Sequence, residues 1–387
     1  LMAAQAFQPE PAALERWRRS WQLTELRGLF VDGQMRAGLT LFDMHFWFGG
    51  RPVRAGGIAG VATPPEYRRQ GAVGRLLQAV LAEMRAAGQP LSLLYPFYFP
   101  FYKHYGWEHA SDNHEYTIPI DRLPAGPIAG TWQAVCVATD PLAADGQRVV
   151  SDADLAVLMQ IYDAWAPGRN GALVRDAVWW RTRKITPRSN IYYWRDPAGT
   201  PRALVSYTFK ELRPWERQLQ ASFVAPDPAA LRAVLGFLRN HDSQAKEVVV
   251  NLPEDDRLLA LLDDPRIKAE VDPGFMLRLV DVPAALAARG YPPGVAGRLV
   301  WCVAEGFVAR TPATYTLDVA DGVGTVAPST AAPDLSLDQR ALSQLYSGYL
   351  TPHQAAALGL LTVHDPAALD RAALLLAGPK PYLADFF

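Results

Sequence analysis

The chain has 387 residues, half of them hydrophobic, and a formal net charge of −1. This length fits roughly two to three domains, and the charge gives no general attraction to nucleic acid or to an anionic membrane. Cys136 and Cys302 are too few and too far apart for a disulfide framework. The chain has neither an apolar run that spans a bilayer nor a signal-peptide pattern. We therefore expect a cytoplasmic protein that binds neither nucleic acid nor membrane.

Residues 59 to 107 carry the most informative pattern. Residues 60 to 63 predict a strand, and Tyr67-Arg68-Arg69-Gln70-Gly71 follows as a basic turn. Apolar residues from Leu76 to Met84 then repeat at helical spacing, with Gly88 at the expected helix end. Residues 91 to 95 predict the next strand.

The turn has the composition of an anion site. A glycine-bearing turn that opens a helix presents free backbone N–H groups at the positive end of the helix dipole. Gly71 and Gly74 allow close approach of the backbone, and Arg68 and Arg69 add charge. These features predict a pyrophosphate cradle. An ordinary basic surface turn remains the alternative, because glycine motifs alone have a high false-positive rate.

An aromatic segment follows, Phe101-Tyr102-Lys103-His104-Tyr105-Gly106-Trp107. An Arg-x-x-Gly turn followed by Phe-Tyr-x-x-x-Gly-Trp resembles the GNAT superfamily of N-acetyltransferases. The form Tyr-Arg-Arg-Gln-Gly is similar to the enhanced intracellular survival (Eis) branch. Val73 departs from the usual superfamily pattern, which has Gly or Ala at that position, with Gly74 one residue later.

The resemblance implies a site for acetyl-CoA, used as a co-substrate without a metal. It implies cofactor-binding residues on the strand, in the turn and after the second strand: Val61, Ala62, Thr63, Arg68, Arg69, Gln70, Gly71, Ala72, Val73, Gly74, Phe97 and Tyr98. The strand would form backbone hydrogen bonds with the pantetheine arm, as if the arm were an added β-strand. Its N–H groups would also stabilise the oxyanion of the tetrahedral intermediate.

The remaining pattern divides the chain into three expected domains. Residues 1–128 are the expected catalytic GNAT domain, 129–275 a degenerate GNAT-like domain and 276–387 a sterol-carrier-protein-like domain. The fold class is thus α/β and α+β multidomain, with two mixed-sheet GNAT-like domains before the α+β domain. In the first domain, residues 10 to 30 predict a helix through Leu14, Trp17, Trp21 and Leu26. The family's usual first strand would then be short or missing, as in a chain trimmed at its start.

The second domain repeats the strand–helix–strand order with a different turn. Ala225-Pro226-Asp227-Pro228 stands where the first domain has its glycines. A turn bearing proline and aspartate cannot offer the same row of N–H donors. We therefore expect this domain to bind no cofactor.

Two residues are the expected catalytic groups. Tyr102 matches the family's proton donor, and a phenol with a pKa near ~10 is a balanced acid for a leaving thiolate. In Eis-like enzymes the C-terminal carboxylate is the base, which implies Phe387 here, although a free α-carboxylate has a pKa of about 3.5. His104 and Glu108 are alternative bases. The family often has an acidic penultimate residue, whereas this chain has Phe386, with Asp385 one earlier.

The expected function is acetyl-CoA-dependent N-acetylation of primary amines, either aminoglycoside-like polyamines or lysine side chains of peptides. Asp32, Trp47, Trp107 and Asp385 are candidate lining residues for an acidic and aromatic amine pocket. The resemblance also implies a homohexamer.

Two alternatives remain open: a lipid- or sterol-binding protein that uses the last domain, and a catalytically silent assembly protein. His104, His109 and His114, spaced by five, do not predict a shared metal site.

Overall fold

The computed structural model describes residues 23–124, 129–135, 137–139, 148–185, 189–307 and 312–387. Within these ranges the strands, in chain order, are β1 (Leu26–Val31), β2 (Gln34–Phe48), β3 (Arg51–Ala62), β4 (Leu91–Leu94), β5 (Glu108–His109), β6 (Asp112–Pro119), β7 (Thr131–Ala134), β8 (Val137–Thr139), β9 (Arg148–Val150), β10 (Asn190–Arg195), β11 (Pro201–Arg213), β12 (Glu216–Val224), β13 (Glu247–Pro253), β14 (Lys268–Pro273), β15 (Met276–Leu279), β16 (Gly297–Ala304), β17 (Ala313–Ala320), β18 (Val323–Pro328), β19 (Leu335–Asp338) and β20 (Leu361–Val363). The α-helices of the same ranges are α1 (Ala72–Ala86), α2 (Phe99–His104), α3 (Asp152–Trp165), α4 (Ala177–Trp179), α5 (Pro228–Arg239), α6 (Val282–Ala288), α7 (Gln339–Ser347), α8 (Pro352–Ala357) and α9 (Pro366–Leu375).

The chain divides into two compact units. One unit comprises Leu1–Ser111, Gly168–Leu173 and Pro273–Phe387, and the other comprises Asp112–Pro167 and Val174–Asp272. Within the described ranges, no helix combines the length and apolar character needed to cross a bilayer.

The first unit is built on a mixed sheet of order β1-β2-β3-β4-β15-β5. Gly49 and Gly50, both with positive φ, turn the long hairpin from β2 into β3. The strands β3 and β4 run parallel because α1 crosses between them. The helix packs Leu77, Val80 and Met84 on the sheet, which confirms its predicted apolar face.

The same unit holds a second sheet, of order β18-β17-β16-β19-β20. The helices α6, α7, α8 and α9 accompany it, and α7 is buried over most of its length. The α+β character predicted for the last part of the chain is confirmed. After α9 the chain continues without regular structure from residue 376 to 387.

The second unit has a sheet of order β14-β6-β13-β12-β11-β10-β7 and a small separate pair, β8 and β9. The strands β12 and β13 are parallel and are connected by α5, which repeats the arrangement of β3, α1 and β4. The side chains of Val234 and Leu238 on α5 share a core with Val248 and Val250 on β13. The mixed sheet predicted for the middle of the chain is present.

Two strands belong to sheets other than those implied by the boundaries at 128 and 275. The strand β6 pairs with β13 in the second unit, and β15 lies between β4 and β5 in the first. Each strand carries an apolar set that fits either sheet, so local pattern does not reveal its partner. The division into 1–128, 129–275 and 276–387 stays a prediction, and its boundaries do not coincide with sheet membership.

The helix predicted over residues 10 to 30 is wrong at its end. Leu26 begins β1, an edge strand whose residues pair with β2 from Thr40 to Gln34. Alternate half-buried positions of β1 face α1, so apolar residues at helical spacing were also compatible with a strand. Leu14, Trp17 and Trp21 lie outside the described residues, as does Cys136.

Candidate active site

The site begins where two parallel strands separate. The pairing of β3 with β4 ends at Ile58 and Leu94, whereas β3 continues to Ala62. Gly60, with φ of +60°, lies at a register irregularity between β2 and β3. The backbone of Val61 and Ala62 therefore no longer has β4 as a partner. A free strand edge of this kind can pair with an extended ligand.

The predicted turn follows directly and opens α1. Gly71 has φ of +75° at the N-cap, and Arg69 also adopts the left-handed region, with φ of +61°. The N-cap residue Gly71 has no side chain to cap the helix, and the first-turn N–H groups of Ala72, Val73 and Gly74 have no acceptor within the helix. Arg68, Arg69 and Gln70 are exposed beside them. The turn thus offers N–H donors and cations at one place, as a pyrophosphate requires.

A buried polar atom near the turn also fits a ligand. Among the described residues, the Thr63 hydroxyl is buried and has no hydrogen-bond partner. An unpaired buried hydroxyl is costly. The residues present therefore fit acetyl-CoA at this end of β3.

Gly74 has a second reason to be glycine. A Cβ at this position would lie 3.1 Å from both Cε1 and the hydroxyl of Tyr105. A Cβ at Gly71 would meet nothing within 4 Å, so Gly71 is required by its backbone conformation alone. The sequence did not distinguish these two roles.

Tyr102 lies on α2, beyond the end of β4. Its side chain is only 2% exposed, and its ring contacts Phe97, Phe101 and Trp107. Its hydroxyl makes no hydrogen bond to any residue within the described ranges. Burial raises the pKa of Tyr102 well above its ordinary value. Proton transfer from Tyr102 to the leaving thiolate is therefore less balanced than it would be for a phenol with a pKa near ~10. The hydroxyl stays protonated near neutrality, which a proton donor needs.

Phe97 and Tyr98, expected to contact the cofactor, are both largely exposed. The Phe97 ring centroid is 5.4 Å from the Tyr102 ring. Phe97 thus lies on the open side of the candidate proton donor.

The last residues of the chain return to the first sheet. Phe387 is 7% exposed, and its ring packs against Phe42, Phe46 and Tyr95. A Cβ added at Gly57 would lie 3.0 Å from the Phe387 ring. Gly57 pairs with Leu93 of β4, one rung before the pairing ends. The structure therefore brings Phe387 to the end of the β3–β4 pair.

Tyr95 binds this terminal segment through hydrogen bonds. Its hydroxyl donates to the Asp385 carbonyl at 3.0 Å and contacts the Leu383 carbonyl at 3.2 Å. Tyr95 immediately follows β4, so one residue joins the strand end to the tail. From the sequence, Tyr95 was predicted only as the last residue of the strand from 91 to 95.

Asn170 is a second residue that the sequence did not reveal. It is 2% exposed, its Oδ1 accepts from Gly49 N at 2.9 Å, and its Nδ2 donates to the carbonyls of Ser347 and Pro379. Its own carbonyl accepts from Tyr382 N at 2.9 Å. One buried amide thus connects the β2–β3 turn, the end of α7 and the terminal segment. No local sequence signal marks it.

The alternative bases are poorly placed for proton abstraction. Glu108 is buried and is paired with Lys103 Nζ at 2.6 Å and with His109 N at 3.0 Å. His104 is exposed, with its ring against Tyr105. His109 contacts the Ser111 carbonyl at 2.7 Å. In the described part of the chain, no group of three or more His, Cys, Asp or Glu side chains is arranged to hold a metal.

The four candidate lining residues of the amine pocket differ in burial and in structural role. Trp107 is fully buried, and Asp385 is only 3% exposed. Asp32, with φ of +50°, forms the β1–β2 turn with Gly33, which accounts for an aspartate there. Trp47 is partly buried on β2, where its backbone N–H donates to the Ala172 carbonyl at 2.8 Å. None of these four offers an exposed carboxylate near Tyr95.

In the second unit, the side chain of Asp227 caps the turn before α5. Asp227 accepts from the N–H groups of Ala229 and Ala230, at 2.9 and 3.0 Å. The donors that the glycine turn leaves free are thus already satisfied here. This supports the prediction that the second GNAT-like domain binds no cofactor.

Comparison with known families and proteins gives a consistent picture. Residues 2–110 and 171–279 each match an acetyltransferase (GNAT) domain, and residues 282–384 match a sterol carrier protein domain. A Streptomyces griseus protein described as an uncharacterized N-acetyltransferase is 28% identical over 391 residues, covering 94% of this chain and 90% of that protein. The N-acetyltransferase Eis of Mycobacterium tuberculosis is 27% identical over 351 residues, covering 85% and 80%.

Solved structures of two proteins resemble this chain over all of its residues. A GCN5-related N-acetyltransferase from Anabaena variabilis has a TM-score of 0.88 and 28% identity, covering all of this chain and 96% of that one. Eis1 from Mycobacterium abscessus has a TM-score of 0.79 and 25% identity, covering all of this chain and 95% of that one.

Proposed function

Because this chain is a GNAT-superfamily N-acetyltransferase of the Eis type, we propose that it transfers the acetyl group of acetyl-CoA directly to a primary amine. Tyr102 is the general acid and the α-carboxylate of Phe387 the general base. The observation that carries this proposal concerns the end of the β3–β4 pair, where Tyr102 shares a core with Ile58 and Leu94 and Phe387 lies beside Gly57. From the same place β3 continues as a free edge into the turn that opens α1.

The cofactor-binding residues are proposed by element. The free edge at Val61, Ala62 and Thr63 pairs with the pantetheine arm, and the turn from Arg68 to Gly74 binds the pyrophosphate through N–H groups and two cations. Phe97 and Tyr98 border the thioester end. Acetyl-CoA supplies the activated acetyl group when bound.

The proposed chemistry uses two proton transfers. The neutral substrate amine forms a bond from its nitrogen to the thioester carbon, and the Phe387 carboxylate takes the proton that this nitrogen loses as the C–S bond breaks. Tyr102 gives its hydroxyl proton to the departing thiolate. Its burial among Phe97, Phe101 and Trp107 keeps it protonated until that step.

The substrate class remains that of primary amines, either small polyamines or lysine-bearing peptides. The terminal segment leaves the sterol carrier domain and packs on the first sheet. This placement favours a catalytic use of the chain end over lipid binding by the last domain. A homohexamer is part of the same proposal by resemblance, and light scattering of the purified protein tests it.

The test compares the chain ending at Phe387 with the same chain extended by two glycines. Intact mass first verifies that residue 387 carries a free carboxylate. Acetyl-CoA affinity is measured by calorimetry, and thiol release is measured with kanamycin, spermidine and a lysine peptide. We expect equal affinity and at least tenfold slower turnover in the extended chain. Equal turnover would assign the base elsewhere, and loss of CoA binding in both chains would refute the transferase site.

A further inference from the structure

Arg278 is a buried cation in the first unit. It lies on β15, its side chain is 1% exposed, and its Nη2 forms an ion pair with Glu305. Burial lowers the pKa of Arg278 to about 10, so the guanidinium is still charged at neutral pH. Well-packed apolar residues often stabilise a fold as well as a buried ion pair does. Stability alone therefore does not account for this pair.

A second nitrogen of the same guanidinium binds the end of α2. Arg278 Nη1 donates to the Tyr105 carbonyl at 2.8 Å, and Tyr105 is the C-cap of that helix. The last carbonyls of a helix have no donor within the helix, so Arg278 satisfies one of them. Gly106 follows with φ of +90°, and a Cβ there would lie 1.6 Å from Arg278 Nη1. Glycine at this position therefore allows the guanidinium to reach the carbonyl.

Arg278 is also linked to Tyr102, the proposed general acid. The guanidinium carbon lies 5.6 Å from the centroid of the Trp107 ring, which lies 6.5 Å from the centroid of the Tyr102 ring. The Tyr102 carbonyl accepts from the N–H groups of Tyr105 and Trp107, at 3.0 and 3.2 Å. The segment that Arg278 binds is thus connected to Tyr102 through its backbone and through one ring.

Three residues of the sterol carrier domain surround this segment. Glu305 pairs with Arg278, and the Phe307 ring lies 5.1 Å from the Tyr105 ring in an edge-on contact. Gln339 is buried and donates to a backbone carbonyl of β15. All three lie in the stretch that matches a sterol carrier protein domain. That domain therefore contributes directly to the surroundings of α2.

From this arrangement we infer that Arg278 and Glu305 are positioning residues for Tyr102. The ion pair fixes the end of α2, and with it the hydroxyl that gives its proton to the leaving thiolate. A planar guanidinium donates from separate nitrogens in fixed directions, here to the Glu305 carboxylate and the Tyr105 carbonyl, whereas lysine presents its donors from one point. This inference rests on the proposed function and gives the sterol carrier domain a part in placing the acid.

The test is a double-mutant cycle of Arg278→Lys and Tyr102→Phe. Thiol release is measured with whichever of kanamycin, spermidine and a lysine peptide the wild type acetylates fastest. We expect Arg278→Lys to lower kcat about tenfold, because a displacement of about 1 Å can cost up to about 10²-fold. KM for acetyl-CoA should change by less than about twofold, because the interaction lost acts in the transition state. In the Tyr102→Phe background Arg278→Lys should leave kcat unchanged, since the hydroxyl that it displaces is absent.

Two results of the cycle would overturn the inference. An equal fall in kcat in both backgrounds would show that Arg278 acts only on the fold. No fall in the wild-type background would show that Arg278 does not place the acid. Glu305→Gln tests the other partner, because it keeps a carbonyl oxygen for Nη2 and removes the charge. It should lower kcat about threefold in the wild-type background and not at all in Tyr102→Phe.

Arg289→Lys is the matched control. Arg289 is also 1% exposed and belongs to the same unit, and its Nη1 donates to the Tyr346 carbonyl at 2.8 Å. Its Nε donates to the Gly290 carbonyl. The substitution should lower the melting temperature as Arg278→Lys does and leave kcat unchanged. A fall in kcat equal to that of Arg278→Lys would contradict the positioning role.

Hydrogen exchange, which needs no turnover, separates this inference from the proposed function. In Arg278→Lys the backbone N–H groups of Tyr105, Gly106 and Trp107 should exchange at least about fivefold faster than in the wild type, and in Arg289→Lys they should not. Faster exchange together with a normal kcat in Tyr102→Phe would leave the placement of α2 by Arg278 standing and refute Tyr102 as the acid. A low kcat in Tyr102→Phe with unchanged exchange in Arg278→Lys would do the reverse.

Discussion

At the scale of single residues, Tyr102 is buried inside an aromatic cluster, and its hydroxyl has no hydrogen-bond partner in the described part of the chain. We expect Tyr102→Phe to lower kcat about 10²-fold, because general acids commonly contribute at least that factor. Acetyl-CoA affinity should be unchanged, since the ring is retained. Stopped-flow thiol release and calorimetry measure the two quantities.

The control for this substitution is Tyr315→Phe, on β17 of the sterol carrier domain. Burial raises the pKa of both tyrosines, so both stay protonated at neutral pH and the comparison isolates position. A normal kcat in Tyr102→Phe would remove it as the acid.

Gly71 and Gly88 form a natural pair at opposite ends of α1. Both have positive φ, +75° and +71°, and a Cβ would meet nothing within 4 Å at either. Alanine at each site should therefore cost about 1 kcal/mol of folding free energy through backbone strain alone. Only Gly71→Ala should also weaken acetyl-CoA binding, by about tenfold, because only Gly71 adjoins the proposed cradle. Urea unfolding and calorimetry test both; equal affinities would show that the α1 turn does not bind the cofactor.

At the scale of secondary-structure elements, the sequence predicted what local chemistry determines. The α1 helix, its glycine turn and the β2–β3 turn follow from apolar spacing and from glycines with positive φ. Sheet membership of β6 and β15 could not be predicted, because it depends on pairing between residues far apart in sequence. The pairing of Glu108 with Lys103 and the contacts of Asn170 could not be predicted either, because they also depend on the tertiary structure. The edge strand β1 was mistaken for helix because its half-buried alternation is weak.

Asn170 should matter more for the tail than for the rest of the fold. Asn170→Ala leaves the half-buried Gly49 N–H and two carbonyls without this partner, and we expect a loss of about 3 kcal/mol in unfolding free energy. The Tyr382 amide, which donates to the Asn170 carbonyl, should then exchange its hydrogen faster.

The control is Gln344→Ala, which removes another buried amide from the same unit, one that donates to the His109 carbonyl. Hydrogen exchange by mass spectrometry should show the added mobility in residues 379–387 only for Asn170→Ala. Unchanged exchange there would mean that Tyr95 alone holds the tail.

The Asp227 cap gives a pH-dependent test in the second unit. Burial works against the charged form, but the N–H groups of Ala230 and Ala229 and the Arg202 guanidinium outweigh it and lower the pKa of Asp227. Its stabilising effect is therefore complete above the unfolded pKa, near 3.9, and is lost as the pH falls through the folded value. Asp227→Asn keeps a capping oxygen but loses the charge that faces the helix N-terminus and Arg202, so it should cost about 0.5 kcal/mol at pH 7. The difference from wild type should shrink below pH ~4. Urea titrations at pH 7 and pH 3 measure this, and an equal difference at both would contradict it.

At the scale of the whole molecule, the two units have separate cores, and among the described residues only the first unit offers free N–H donors before its crossover helix. In the first unit α1 packs through Leu77 and Met84, and in the second α5 packs through Val234 and Leu238. Their helix starts differ in one respect that bears on the proposed binding of acetyl-CoA. Gly71 leaves the N–H groups open, whereas Asp227 occupies them.

A ligand that binds only the native form stabilises it by RT ln(1 + [L]/Kd), or about 2.7 kcal/mol at 100 Kd. Acetyl-CoA at that concentration should therefore slow hydrogen exchange in α1 and β4 of the first unit. Exchange in α5 and β13 should be unaffected, because the Asp227 side chain takes the place that an anion would need. Comparing Gly71→Ala with wild type assigns any protection to the α1 turn. Protection of α5 that persists in Gly71→Ala would show that the second unit binds the cofactor itself, and would contradict its assignment as silent.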